Sequence, residues 1–286
     1  MDALLQDLAD VLRCFRASGS SEYAYLPVWF ESVMRRHAIR PDGYDPRFMA
    51  GLAYTGWFLF ADRQLLPKFH ARRAVLHLQP WEPRRWLAQQ QAAPPGQRTI
   101  ELRPLQKQFA RIHAGQLRFE LRLAEDFRAT VDQVNRFQQA RMGISWMEPQ
   151  FVDALSQLHE TPVPVANTCV RALAWELWDA DQDRRVAADV GYHLGQVYAS
   201  LTGYSDRRLP SMGIVQLLTQ LEGMRDQGWA LWDLGMPMPY KLGLGACELT
   251  GSAWLDQFHQ HRLQGGPLAG FPPHDVRAGG VGQTFR

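Results

Sequence analysis

The chain has 286 residues, of which 46% are apolar and 21% charged, a composition typical of a globular protein with a sizeable buried core. Its three cysteines are widely spaced, which argues against a disulfide framework and against a cysteine-rich zinc site. The first residues lack the basic region of a secretion signal, and no apolar run is long enough to span a bilayer. We therefore expect a cytoplasmic protein with no membrane partner and no metal.

The net charge of +2 hides an uneven distribution of charge along the chain. Residues 1–143 carry 21 Lys and Arg against 14 Asp and Glu, whereas the remaining residues carry 10 against 15. All but three of the cations are arginines, whose planar guanidinium suits phosphate groups. The pattern fits an N-terminal half that binds a polyanion, and it fits equally well a general preference for Arg on a solvated face.

Apolar spacing and capping residues predict the elements in chain order. Helices are predicted over residues 4–15, 45–54, 127–141, 148–159 and 210–227. Strands are predicted over residues 74–78, 117–123, 173–178, 197–201 and 229–233. Residues 81–98, which end in a Gln-rich and Pro-Pro-Gly sequence, predict a surface loop.

The order strand–helix–strand in the second half predicts an α/β or α+β fold with partly parallel strands. The helix over 210–227 is expected to pack across the sheet and to bury Ile214, Leu217, Leu218 and Leu221. Residues 1–98 are expected to form a smaller N-terminal domain and residues 99–262 the main domain. Residues 263–286, rich in Gly, Pro and Ala, predict a flexible tail.

Asp233 is the residue with the clearest potential for chemistry. An apolar run, Trp229–Trp232, places it at the carboxyl end of a strand, where ligands of open α/β sheets usually bind. The alternative is an Asp that closes a strand–loop turn through bonds to its own backbone, and the residues alone favour that alternative.

Several segments resemble the leucyl/phenylalanyl-tRNA–protein transferases. Trp232-Asp233-Leu234-Gly235 and the later Leu244-Gly245-Ala246-Cys247-Glu248 are similar to an Asp-Cys-Gln element and a Leu-Gly-Ala-Cys/Arg-Glu element of that family, at the same separation. Three more segments match: Arg73–Leu76, Ser145–Met147 with the following Leu158–Glu160, and Gly195–Ser205. The resemblance spans roughly residues 45–262 and marks a divergent, transferase-like branch.

The resemblance implies an acyl-CoA N-acyltransferase-like mixed twisted sheet in residues 99–262. It also implies transfer of Leu, Phe or Met from aminoacyl-tRNA to the N-terminus of an acceptor protein, which marks that protein for degradation. Such a reaction is aminolysis of an activated ester, which requires a deprotonated amine and a polarised carbonyl held together. The implied partners are aminoacyl-tRNA and a protein or peptide N-terminus, and no cofactor is implied.

The resemblance assigns Asp233 as the catalytic carboxylate at the mouth of a cleft between diverging strands. The family's Gln falls on Gly235 and its Glu on Leu201, neither of which can bond an amine through its side chain. The expected substrate-binding residues are Trp146, Tyr198, Leu201, Thr202, Gly203, Ser205, Leu218, Gly235 and Tyr240. The expected RNA-binding residues are Trp57, Phe58, Arg72, Arg73, Arg111, Arg118 and Arg122, with Trp57 and Phe58 stacking on the 3′ adenine.

The sequence is also compatible with two other functions. A CoA-dependent N-acyltransferase on the same fold would use Arg208–Gly213 as its pyrophosphate loop, although that segment lacks the middle glycine. A non-catalytic adaptor that binds RNA or a protein N-terminus would explain the loss of the family's Glu and Gln.

Overall fold

A computed structural model describes residues 1–18, 27–94, 98–263 and 271–286. Its helices are α1 Asp2–Ala17, α2 Pro27–Arg36, α3 Pro46–Thr55, α4 Pro83–Ala92, α5 Leu102–His113, α6 Phe127–Met142, α7 Pro149–Glu160, α8 Met212–Asp226, α9 Pro239–Gly243, α10 Gly251–His261 and α11 Gly280–Thr284. Its strands are β1 Arg72–His77, β2 Phe119–Leu123, β3 Val163–Val165, β4 Thr168–Asp179, β5 Arg184–Leu194, β6 Val197–Ser205, β7 Leu231–Asp233, β8 Cys247–Thr250 and β9 His274–Asp275.

The strands form a single mixed sheet in the order β8-β1-β7-β6-β5-β4-β2-β9, with β3 paired to β4. All described strand pairs are antiparallel except β6 and β7, which run parallel with α8 as their crossover. A large mixed twisted sheet with packed helices confirms the predicted α/β fold class. β1 lies before the predicted domain boundary near residue 98 and still belongs to this sheet, and the boundaries themselves stay a prediction.

Each face of the sheet carries a hydrophobic core, because successive strand residues point to opposite sides. One core packs α1, α3, α6, α7 and α10 against the sheet, and the other packs α4, α5 and α8. In β7, Leu231 belongs to the first core and Trp232 to the second. None of the helices in the described ranges has the length and apolar character that crossing a bilayer requires.

The structure replaces a predicted loop by a helix and adds a central strand. Residues 81–98 contain helix α4, whose start is capped by Glu82: its carboxylate accepts hydrogen bonds from the backbone N–H of Arg84 and Arg85, 3.0 and 2.7 Å away. β5, which the sequence analysis did not predict, is 11 residues long and lies in the middle of the sheet between β4 and β6.

The predicted helix over 210–227 corresponds to α8 and buries Leu218 and Leu221 as expected. Ile214 and Leu217 are only half-buried, because both line a cavity beside the sheet. The predicted strand over 229–233 is shorter than expected and begins at Leu231.

The described part of the predicted tail, residues 271–286, packs against the body of the protein rather than forming a flexible extension. β9 pairs with β2, and the side chains of Val276 and Val281 are buried. Glu222 on α8, itself buried, accepts a hydrogen bond of 3.2 Å from the backbone N–H of Val281. Burial of two apolar side chains and a paired carboxylate explains why a Gly- and Pro-rich segment is held here.

The ion pair between His274 and Glu222 predicts a pH-dependent attachment of residues 271–286. His274 Nε2 lies 3.6 Å from Glu222 Oε2, and the negative charge of Glu222 in this ion pair raises the pKa of His274. The pair therefore stabilises the folded segment fully below the ordinary pKa of His and loses this effect as pH rises through the raised pKa. We expect the hydrogen-exchange protection of residues 271–286, corrected for intrinsic rates, to fall over that range. In His274→Gln, the protection of this segment should no longer depend on pH. Wild-type protection that stays constant across this pH range would contradict a stabilising role for the ion pair.

Candidate active site

A cavity of about 450 Å³ opens where β6 and β7 separate. The parallel pairing of the two strands runs only from Val197↔Leu231 to Ala199↔Asp233. β6 then continues to Ser205, while the chain after Asp233 turns away from the sheet. The cavity is bounded by β5, β6, the first turns of α8 and residues 234–241. This is the position at which a split in a sheet typically binds a ligand.

A β-bulge shapes the side of the cavity formed by β6. Val190 pairs with Thr202 but Gly191 pairs with Ser200, so Leu201 is the extra residue on β6. Gly203 follows at a close contact with β5, since a Cβ at this position would lie 2.5 Å from the carbonyl oxygen of Ala188. A residue without a side chain is therefore required for the two strands to approach here.

Asp189 on β5 is the only acidic residue among the described residues that line the cavity. Its side-chain oxygen Oδ2 accepts hydrogen bonds from Ser200 Oγ at 2.8 Å and from Gln220 Nε2 at 3.1 Å. Ser200 Oγ in turn accepts a hydrogen bond of 2.8 Å from Trp232 Nε1. Burial raises the pKa of Asp189 to about 6, against the lowering effect of the hydrogen bonds from Gln220 and Ser200.

Tyr240 and Lys241 face Asp189 from helix α9. Burial, together with the charge of Asp189, raises the pKa of Tyr240 to about 12, so its hydroxyl remains a hydrogen-bond donor at neutral pH. Burial lowers the pKa of Lys241, and the charges of Asp233 and Asp189 act against that shift. Lys241 Nζ donates to the carbonyl oxygens of Leu234 and Met236, the latter at 3.0 Å, which ties α9 to the segment after β7.

The cavity thus brings one carboxylate, one ammonium and several hydroxyl groups around an apolar patch. In the described residues, no group of three or more His, Cys, Asp or Glu side chains is placed to hold a metal ion. The family model described as "Leucyl/phenylalanyl-tRNA protein transferase" matches residues 101–259, more than half of the chain. The chain belongs to this family. Its members are aminoacyl-tRNA transferases, and the chain therefore falls in a class of acyltransferase enzymes.

Other comparisons are more distant. A solved structure with similarity to this chain is the C-terminal domain of a putative lysylphosphatidylglycerol synthetase from Agrobacterium fabrum. The two share 12% sequence identity at a TM-score of 0.41, over 72% of this chain and 67% of the other. No curated protein matches the chain at a significant level.

Five of the predicted substrate-binding residues line the cavity: Leu201, Thr202, Gly203, Ser205 and Tyr240. Leu201, where the family has Glu, is therefore beside the site and offers it only an apolar surface. Thr202 accepts a hydrogen bond from Gln138 on α6, which fixes the orientation of its hydroxyl.

Asp233 does not lie at the mouth of the cavity, and that prediction is wrong. Its side chain is 2% exposed and points to the face of the sheet opposite Trp232. Asp233 Oδ2 forms an ion pair with the fully buried guanidinium of Arg73. The same guanidinium donates a hydrogen bond of 2.9 Å to the carbonyl oxygen of Gly56 and lies 3.8 Å above the ring of Trp254.

The other oxygen of Asp233 closes the turn that follows β7. Asp233 Oδ1 accepts a hydrogen bond of 2.9 Å from the backbone N–H of Gly235. Gly235 has a φ of +73°, which favours glycine over any residue with a side chain. At the position of the family's Gln, this chain therefore has a turn residue rather than a space for substrate.

Three further predicted substrate-binding residues do not line the cavity: Tyr198 and Leu218 belong to the core, and Trp146 is half-buried beside it. Tyr198 and Leu218 are fully buried beneath the cavity, with Tyr198 against Trp229 and Trp232. Trp146 stacks on Phe60 with a centroid distance of 5.1 Å and is not among the residues lining the cavity.

The predicted RNA-binding aromatic residues are not free to stack on a base. Trp57 is fully buried, with its ring 5.1 Å from that of Phe30 and 5.5 Å from that of Phe15. Phe58 is half-buried, with its ring 5.1 Å from that of His70. The apolar run that contains both residues is part of the core, which is the commoner fate of such runs.

The predicted RNA-binding arginines are mostly engaged within the protein. Arg73 is fully buried in the ion pair with Asp233, so it cannot contact RNA. Arg72, Arg118 and Arg122 form ion pairs with Glu248, Asp181 and Glu120 respectively. Arg111 lies half-exposed on α5.

A second groove, of about 680 Å³, adjoins the cavity and is lined by five arginines. It shares Phe137, Tyr204 and Arg207 with the cavity. We call it the arginine groove, and it is lined by Arg136, Arg184, Arg185, Arg207 and Arg208 together with Gln133, Phe137, Trp178, Asp183, Tyr204 and Asp206.

The cations of the arginine groove differ in their partners. Arg184 and Arg208 pair with Asp206 at 2.7 Å, and Arg185 pairs with Glu176 at 2.7 Å. Arg136 and Arg207 in the groove and Arg141 at the cavity are exposed and have no acidic partner within the described part of the chain. These three guanidinium groups are therefore available to an anion.

Proposed function

We propose that the protein transfers an apolar amino acid, Leu, Phe or Met, from charged tRNA to the N-terminal amine of an acceptor protein. Such a product enters N-end-dependent protein degradation. The observation that carries this proposal is the cavity at the split between β6 and β7, inside the segment that matches the transferase family. Five residues expected to bind substrate line this cavity.

The composition of the cavity suits an aminoacyl ester. Leu201, Ile214 and Leu217 provide apolar contacts for the side chain of the transferred amino acid. Ser205 and Tyr240 provide hydroxyl groups for the polar ester and its carbonyl oxygen. The volume of about 450 Å³ lies in the range of small-molecule sites, which is about 300–1,000 Å³. Because tRNA already activates the ester, the site needs no covalent nucleophile.

We place the tRNA acceptor end in the arginine groove. The groove leads directly into the cavity, since the two share Arg207, Phe137 and Tyr204. Arg136, Arg141 and Arg207 would contact phosphates, and the half-buried Trp178 offers an aromatic ring beside them. The ester end of the RNA would then reach the cavity without crossing the sheet.

The test is transfer of labelled Leu, Phe or Met from charged tRNA to a peptide with a free N-terminus. We expect transfer by the wild type and a loss of roughly tenfold or more in Leu217→Trp, because the bulky indole fills the apolar part of the cavity. Leu242→Trp is the matched control, since Leu242 is exposed and does not line the cavity. Consumption of an acyl-CoA in place of charged tRNA would support the acyltransferase alternative. Binding without turnover in either assay would support the adaptor.

A further inference from the structure

We propose that Asp189 is the catalytic residue that receives the acceptor's α-ammonium group and takes its proton. The inference deepens the proposed function and rests on it for the transfer step. Asp189 belongs to β5, outside the segments whose resemblance suggested site residues. It lies in the cavity that contains the five expected substrate-binding residues.

The charge of the cavity leaves a single partner for an ammonium group among the described residues. The described residues that line it include three cations, Arg141, Arg207 and Lys241, and a single acid, Asp189. An incoming ammonium is repelled by the cations and can pair only with this carboxylate. Asp233 cannot take this role, because both of its oxygens are engaged on the opposite face of the sheet.

The carboxylate of Asp189 is held in a fixed orientation. Ser200 and Gln220 both donate to Oδ2, and Trp232 holds the hydroxyl of Ser200. A group that accepts a proton in the transition state must be positioned before the reaction. These three contacts supply that positioning from β6, α8 and β7.

The same cluster contains a buried acceptor without a partner among the described residues. Gln220 is fully buried, and its Oε1 has no hydrogen-bond partner among the described residues. Buried amide oxygens are normally paired, so an atom without a partner requires an explanation. Oε1 belongs to the same amide as Nε2, which donates to Asp189, so an acceptor without a described partner lies next to this carboxylate.

The proton affinity of Asp189 also matches the task. Burial raises its pKa to about 6, so the group is ionised at neutral pH and is still a stronger base than an ordinary Asp. The other titratable or charged groups facing it are Tyr198 on β6, Tyr240 and Lys241 on α9, Arg141 on α6, and Arg207.

The acceptor ammonium loses one proton to Asp189, and the free amine nitrogen forms a bond to the ester carbonyl carbon. The ester C–O bond to the tRNA ribose then breaks. The ribose oxygen takes the second proton lost by the nitrogen, and Asp189 releases its proton to solvent.

Asp189→Asn tests the proposal, because it keeps the size of the side chain and removes the charge. Binding is measured with two Ala-initiated peptides that differ only in a free or acetylated N-terminus. We expect the wild type to prefer the free peptide by about tenfold or more and the variant to lose that preference. Transfer should fall on the order of 10²–10⁴-fold, the usual effect of a positioned general base.

Two further variants make the test specific. Asp179→Asn is the matched control, since Asp179 is a buried acid on β4 that does not line the cavity and whose hydrogen bonds within the described residues come from backbone N–H groups. Ser200→Ala removes a donor to Asp189 and raises its pKa. In that variant the acid limb of the pH–rate profile, expected at about pH 6, should therefore move to higher pH.

Asp189→Asn is expected to fold, because ionising a buried acid with a raised pKa opposes folding and the variant removes that cost. Equal affinity of the wild type for the two peptides would overturn the proposal. So would a folded Asp189→Asn protein that keeps both the preference and the wild-type pH profile. A wild type that prefers the free amine without transferring an amino acid would reject the proposed function and support Asp189 as the amine-binding group.

Discussion

Asp233→Asn is expected to lower the free energy of unfolding by about 3–5 kcal/mol, the usual effect of removing one partner from a buried ion pair. The guanidinium of Arg73 is fully buried and would remain without a counter-charge. Its remaining contacts, the carbonyl oxygen of Gly56 and the ring of Trp254, do not replace a carboxylate. The transfer activity per folded molecule should stay close to that of the wild type, because Asp233 does not line the cavity.

Urea unfolding measures the stability, and transfer per folded molecule measures the activity. The matched control is Arg72→Met in the neighbouring ion pair with Glu248, where the Arg72 side chain is 66% exposed. An exposed pair contributes about 0–1 kcal/mol, so this variant should unfold close to the wild type. A folded Asp233→Asn protein with wild-type stability and a specific loss of transfer would instead return Asp233 to the catalytic role.

The pair Arg73–Asp233 illustrates what a single sequence cannot reveal. The sequence correctly placed Asp233 at the end of a strand, where it is the last residue of β7. The face of the sheet to which it points depends on pairing with β1, whose Arg73 lies far away in the chain. No local pattern encodes a partner at that separation, so the ligand-binding interpretation of the strand end failed.

The fold was easier to predict, because helix and strand patterns are local. Alternating apolar residues identified β2 and β4, and apolar helical spacing identified α1 and α8. β5 was missed because its residues 186–192 are buried throughout, so the strand lacks the alternation of a half-buried one. Missing β5 also hid Asp189, although a lone acid within an apolar run was a signal in the sequence.

The RNA-binding surface was predicted from the positive charge of the N-terminal half. A count of charges does not show which arginines are already paired with acidic side chains. Arg72, Arg118 and Arg122 each have an acid within ion-pair distance, a feature of strand pairing and turns rather than of composition. The arginines without an acidic partner in the described residues include Arg141 and Arg207, which line the cavity, and Arg136, which lines the adjoining arginine groove.

The second large effect is expected for the triple variant Arg136→Gln, Arg141→Gln and Arg207→Gln. If each guanidinium contacts one phosphate of a single-stranded RNA end, the slope of log affinity against log salt should flatten by about 2 units. At about 0.1 M salt the affinity for charged tRNA should fall on the order of 10²-fold. The three side chains are exposed, so the free energy of unfolding should stay close to that of the wild type.

The matched control replaces Arg72, Arg111 and Arg118 by Gln, which changes the net charge by the same amount on a different surface. Because Arg72 and Arg118 already pair with acids, this variant should change the affinity and the salt slope only slightly. Titration of charged tRNA at several salt concentrations measures both quantities. A larger loss in the control than in the first variant would place the RNA on the N-terminal surface. Equal small changes in both would exclude phosphate contacts by either set, and the arginine groove would then have no role in binding the acceptor end.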